Sequence, residues 1–74
     1  MSPSNIIVSV YKTGISDYNL FYIKQYLDNF AKILTWSTDL EDCDNILRIE
    51  SRFAVAVEVT TTLRSFNIAC TELQ

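Results

Sequence analysis

The side chains that could carry chemistry in this sequence are few and scattered. It contains no histidine and two cysteines, Cys43 and Cys70. Glu41, Asp42 and Asp44, with Asp39 nearby, form an acidic cluster that could in principle hold a hard cation such as Ca²⁺. The cluster lacks the glycine and the distal glutamate of an EF-hand loop, so it reads as a solvated turn. Paired carboxylates acting as acid and base need a pocket that separates their pKa values, and an exposed turn offers none. Ser16 or Thr13 as a nucleophile has no histidine partner, and Lys12, Lys24 and Lys32 have no specific setting as a base. The expectation is a chain with no catalytic residue, no cofactor and no metal, and not an enzyme.

Composition points the same way. Seventy-four residues, 49% hydrophobic and 20% charged, with one Gly and one Pro, make one small globular domain spanning residues 1–74. Nine acidic against six basic residues give a net charge of −3, unfavourable for neutralising phosphates or binding an anionic membrane, so neither nucleic acid nor membrane is an expected partner. The opening Met1-Ser2-Pro3-Ser4-Asn5 lacks a basic n-region, and the apolar run Ile6 to Val10 is too short for a signal or a span. A cytoplasmic location is expected, with Cys43 and Cys70 as reduced thiols, Cys43 in a polar turn and Cys70 semi-buried.

The elements that must position these residues follow from periodicity. Asn5 to Tyr11 is β-branched and aromatic and reads as a central strand, with Ile6, Val8 and Val10 on one face and Ile7, Ser9 and Tyr11 on the other. Leu20, Ile23, Leu27 and Phe30 form an amphipathic stripe that predicts a helix over about 17–31, with Ser16 as N-cap, Asp17 at the positive end and Lys32 at the negative end. Residues 33–40 alternate, with Leu34, Trp36, Thr38 and Leu40 on one side. The turn 41–45 and a strand with Leu47 and Ile49 inward complete a hairpin. Residues 53–62 have strand propensity, yet Val55, Val59, Thr62 or Leu63, and Phe66 also make a helical stripe. Ser51 could cap its front and Asn67 could close it in a left-handed conformation. The helical reading is preferred because a last strand, 68–73, still follows and a second helix covers the sheet. The fold class expected is α+β: a ferredoxin-like βαββαβ sandwich, a four-stranded antiparallel sheet with two helices on one face, strands 1 and 3 central.

Several stretches resemble the heavy-metal-associated, copper-chaperone-like domain family, and in particular a divergent bacterial branch lacking its Cys-x-x-Cys metal motif. Tyr11-Lys12-Thr13-Gly14-Ile15 stands where that family has an aromatic-Lys-Thr lead into its metal loop, and Leu20, Ile23 and Leu27 match its first helix. Trp36 to Leu40 and Asn45 to Glu50 match its hairpin, and Leu63 to Ile68 its approach to the last strand, with Asn67 in place of Gly. The family binds Cu(I) or a similar soft ion through two loop thiolates at a helix start. In this sequence those positions fall on Ser16 and Asn19, or in the other register on Asp17 and Leu20, and neither pair contains sulfur. The resemblance therefore implies a degenerate metal site. With no histidine, a substitute soft site could come only from Cys43 and Cys70, which the expected topology places far from the loop.

The first helix carries more aromatic rings than its core stripe needs. Tyr18, Phe21, Tyr22 and Tyr26 form a second face beside it. Such rings either cover the core rim or mark an interface. In the resembled family the loop and first helix are where partners dock. The reading is a non-catalytic protein-interaction module acting on an unknown protein partner or on itself, with Ser16 and Asp17 orienting the loop. The edge strands 2 and 4 offer a second route to self-pairing, while Tyr11, taken as an exposed sheet ring, makes no RNA platform alone. The alternative is a metal- or small-ligand-binding protein using oxygen donors at Ser16, Asp17 and Asn19.

Overall fold

The structure, a computed structural model, describes residues 5–41 and 43–73. Met1 to Ser4 of the opening segment and Asp42 of the acidic cluster lie outside the described residues. The elements run β1 (Ile7–Thr13), α1 (Leu20–Asn29), β2 (Ile33–Asp39), β3 (Ile46–Ser51), α2 (Ala56–Ser65) and β4 (Cys70–Leu73). The strands form one antiparallel sheet in the order β2-β3-β1-β4, the ferredoxin-like α+β arrangement, with β1 and β3 central. No helix among the described residues is long and apolar enough to cross a membrane.

One core holds the two layers together. Ile23 and Leu27 of α1 and Val59 and Leu63 of α2 pack against Tyr11, Leu47 and Ile49 of the sheet, with Val55, Ile68 and Cys70 closing the α2 side and Ile15 the loop end. All eleven are almost fully buried. Fully burying side chains of this size contributes roughly 1.5–3 kcal/mol each, which lets a weak helix former such as α2 hold its shape. Its sequence, AVEVTTTLRS, is rich in β-branched residues, so packing of the Val59–Leu63 stripe, not propensity, decides its state.

Several details depart from the sequence reading, each for an identifiable reason. Helix α2 starts at Ala56 with Val55 at the cap position; Ser51 belongs to β3, where its hydroxyl donates to the Phe53 carbonyl at 2.8 Å. Phe66, assigned to the core stripe, sits just past the end of α2 and is exposed. Asn67 does adopt the left-handed conformation, φ 63°, and lets the chain turn into β4. In β2 the register slips between Ile33 and Thr35, a bulge that turns Ile33 onto the core and Leu34 outward, reversing the expected face at that end. Lys32 lies beyond the end of α1 and instead pairs with Glu58 of α2 at 3.4 Å.

The inner face of β1 is Ser9, Tyr11 and Thr13. Tyr11, expected as an exposed ring, is completely buried, and its hydroxyl donates to Ser9 Oγ at 3.0 Å. Cross-strand neighbours share a face, so the inward Leu47 and Ile49 of β3 draw their partners Tyr11 and Ser9 inward too. The Tyr11 hydroxyl supplies the hydrogen bond that a buried serine needs.

Candidate functional site

The loop between β1 and α1 is built from its own polar side chains. Thr13 Oγ1 accepts the Ile15 N–H at 3.1 Å and donates to the Asn45 carbonyl of the β2–β3 connection. Ile15 is fully buried and anchors the loop. Asn19 braces the rest: its Oδ1 accepts the Ser16 N–H at 2.8 Å, and its Nδ2 donates to the Gly14 carbonyl at 3.2 Å. The Leu20 N–H closes a helical turn onto the Ser16 carbonyl at 2.9 Å. The helix proper therefore begins at Leu20, not near Asp17, and Asn19 takes the cap position expected for Ser16, with no side-chain cap hydrogen bond to the helix.

This geometry disposes the four degenerate metal-loop positions differently. Leu20 packs against the core and Asn19 is committed to the local backbone. Ser16 is half-buried and Asp17 exposed, beside a cleft of about 200 Å³ that also meets Ile15, Leu40 and Asn45. Among the described residues no group of three or more His, Cys, Asp or Glu side chains is arranged to hold a metal. The cysteines are nearer the loop than expected. Cys70 stands opposite Thr13 on β4, and Cys43 lies in the connection whose Asp44 carbonyl accepts the Thr13 N–H at 3.2 Å. Both thiols are free, Cys43 exposed and Cys70 buried. Burial pushes the Cys70 thiol up to about 11 against a smaller lowering by Arg64, so the free thiol stays protonated at neutral pH.

The aromatic residues give the site its character. Tyr18, at the tip of the loop, is 92% exposed, and Phe21 and Tyr22 are 63% and 59% exposed. The rings of Phe21 and Tyr22 meet edge-to-face with centroids 5.8 Å apart. Tyr26 differs: it is partly buried against the core, its ring 5.5 Å from that of Phe30. Burial raises the Tyr26 hydroxyl pKa, opposed by a hydrogen bond with Thr62.

Tyr26 and Phe30 floor a groove between the helices. One half, about 480 Å³, is walled by Tyr22, Gln25, Asn29 and Phe66; the other, about 430 Å³, by Val57, Glu58, Thr61 and Thr62. Sequence reasoning found Tyr22 and Tyr26 and placed Phe30 on the core stripe, where it does pack, but it assigned the exposed Phe66 to the core and passed over Val57, which is highly exposed. The signal for Val57 was available, since it falls between the core positions Val55 and Val59 on the opposite side of a helix.

No protein-family model matches the chain, and no curated protein or solved structure matches it either.

Proposed function

We propose that this domain is a non-catalytic protein-interaction module, a metal-free relative of the heavy-metal-associated domains, and that it docks a protein partner through the first loop and α1. The observation that carries this reading is the exposure of Tyr18, Phe21 and Tyr22 on a braced loop and helix start, beside the aromatic floor of the interhelical groove. Aromatic rings offer large contact area with few rotatable bonds, and they dominate binding energy where they are central to an interface. The Asn19 and Thr13 hydrogen bonds hold the loop before any partner arrives, which lowers the ordering cost of binding.

The relation to the heavy-metal-associated family is supported by the βαββαβ order and by the Tyr11-Lys12-Thr13-Gly14-Ile15 lead into this loop. The competing reading, cation binding by loop oxygens, has little to work with. Asn19 already serves the backbone, which leaves the Ser16 hydroxyl and the Asp17 carboxylate, whereas Ca²⁺ takes six or more oxygen ligands. A cytoplasmic setting belongs to the same proposal.

A photo-crosslinking side chain introduced at position 21 in the cell tests the reading. It should yield a discrete adduct that is lost when Tyr18 and Tyr22 are changed to Ala and is absent when the probe sits at the exposed Arg52, which follows β3 at the end of the sheet away from the loop. Equal labelling from both positions, or none from position 21, would count against a docking face. Thermal unfolding with Cu(I), Zn²⁺ or Ca²⁺ under reducing conditions probes the metal-free part of the proposal. A saturable rise in midpoint with any of these ions would sink it, because a ligand that binds only the folded state must raise its stability.

A further inference from the structure

Both helices cover one face of the sheet, and the other face carries no layer of the described chain. On it, Ile6, Val8 and Leu73 are exposed aliphatics along β1 and β4, with Leu34 on β2 and the half-buried Val10 beside them. We infer that this bare face stacks against the same face of a second copy of the chain, with the two β1 strands crossing each other. This is a different surface from the α1 aromatics and does not rest on the docking proposed for them.

The cross-strand register identifies the occupant. Val8 lies opposite Glu50, and Val10 lies opposite Arg48. Arg48 and Glu50 already pair within the chain at 3.0 Å, and Lys12 pairs with Asp44 at 3.5 Å; with Asp39, which lies opposite Ile46 on the same face, two positive groups meet three negative ones, so the face is nearly balanced although the chain carries a net −3. A two-fold axis lying between the sheets, perpendicular to the strands and level with the Ser9–Ile49 pair, exchanges these two rows. Val8 then faces Val10 of the second copy, while Arg48 faces its Glu50 and Glu50 its Arg48. The surface is complementary to itself in both shape class and charge, as an isologous interface requires. Aligned sheets pack in this way about 10 Å apart with their strands crossed by roughly 30°.

The extent of the face sets the strength. Four strands about 4.8 Å apart, each contributing about five residues at 3.4 Å, project roughly 330 Å². With side-chain relief this gives on the order of 1,000 Å² over both copies, near the lower limit for a specific interface. The association is therefore a weak, concentration-dependent dimerisation and not an obligate one.

Sedimentation equilibrium of the full chain under reducing conditions, from about 10 μM to about 1 mM to suit an interface of this size, tests the inference. The wild type should pass from monomer to dimer. Val8→Lys, which alters an exposed side chain, should weaken the association about tenfold or more. Arg48→Glu should weaken it as well, and the exchanged pair Arg48→Glu/Glu50→Arg, which keeps the intrachain ion pair, should restore it. Tyr22→Ala should leave it unchanged. A monomer throughout the range, a dimer indifferent to both single changes, or no recovery in the exchanged pair overturns the proposed stacking.

Discussion

The outer side of α1 and the bare face of the sheet both expose apolar surface, but the surfaces differ in kind. Around α1 the exposed groups are aromatic rings that stand well clear of the core: Tyr18, Phe21 and Tyr22. On the sheet they are aliphatic, each less than half exposed, and they lie beside the Arg48–Glu50 and Lys12–Asp44 pairs. Protruding rings suit a concave, dissimilar partner, which can enclose them as anchors. A flat aliphatic face with neutralised charges suits a second flat face. A two-layer domain can hold two such surfaces apart because a single core lies between them, and both depend on that core.

Removing the core that supports both surfaces should have the largest effect. Leu27 of α1 is buried in the shared core. Leu27→Ala should cost about 2–5 kcal/mol. A core of this size supplies about 3–5 kcal/mol in all, so most of the chain should be unfolded at 37 °C. Urea unfolding followed by circular dichroism measures this. Crosslinking from position 21 and dimerisation should disappear together. If one survived without the other, the two surfaces would not share a scaffold.

Alkaline pH weakens the same core from the β4 side. Burial raises the Cys70 thiol pKa from 9.0 to about 11, and burial also raises that of the Tyr11 hydroxyl above 10.0. For groups whose folded pKa is raised, the stabilisation is complete below the unfolded value and is lost as pH climbs through the folded one. The unfolding midpoint should therefore be insensitive to these groups below pH 9 and should fall between pH 9 and about 11. Cys70→Ala should flatten the early part of that fall. Comparing slopes with pH, and not absolute midpoints, separates this effect from the packing lost with the thiol. An unchanged slope would show that Cys70 does not ionise in that window.

These two surfaces were not equally legible in the sequence. The α1 aromatics were visible because a helix separates its faces every 3.6 residues, and Leu20, Ile23 and Leu27 already filled the core stripe. The inner and outer faces of β1 could not be told apart locally, since Ile6, Val8 and Val10 compete with Ile7, Ser9 and Tyr11 on nearly equal terms. The choice is made by β3, whose inward Leu47 and Ile49 pair with Tyr11 and Ser9. The same limit explains Leu34, which a bulge turns outward, and Asn19, whose role depends on backbone groups three and five residues away. Element order was readable because each segment had its own period. Which face each strand buries depended on contacts distant in sequence.

A milder change at the loop should affect one surface and spare the other. Asn19→Ala removes two hydrogen bonds that brace residues 14–16 and touches nothing on the sheet face. Net contributions near 1 kcal/mol per hydrogen bond, reduced by solvent at this partly exposed site, predict about 1 kcal/mol in stability. The Ser16 amide should lose protection from hydrogen exchange, and crosslinking from position 21 should fall while dimerisation persists. An Asn19→Ala variant with an equally protected Ser16 amide would mean that the loop is held by Ile15 and Thr13 alone.

The smallest expected effect lies between the two helices' ends. Lys32 reaches Glu58 at 3.4 Å and lies 6.0 Å from the centroid of the Phe53 ring, with about half of each charged side chain in solvent. An exposed pair of this kind contributes about 0.2–1 kcal/mol, and salt screens it over about 10 Å at 0.1 M. Lys32→Ala should therefore lower stability by at most about 1 kcal/mol at low salt. Half-molar salt should remove most of the difference. A loss that persists undiminished at high salt would assign the contribution to the lysine stem packed near Phe53 instead of its charge. The edge of the interhelical groove near Glu58 would then be held by apolar contact, as its aromatic floor is.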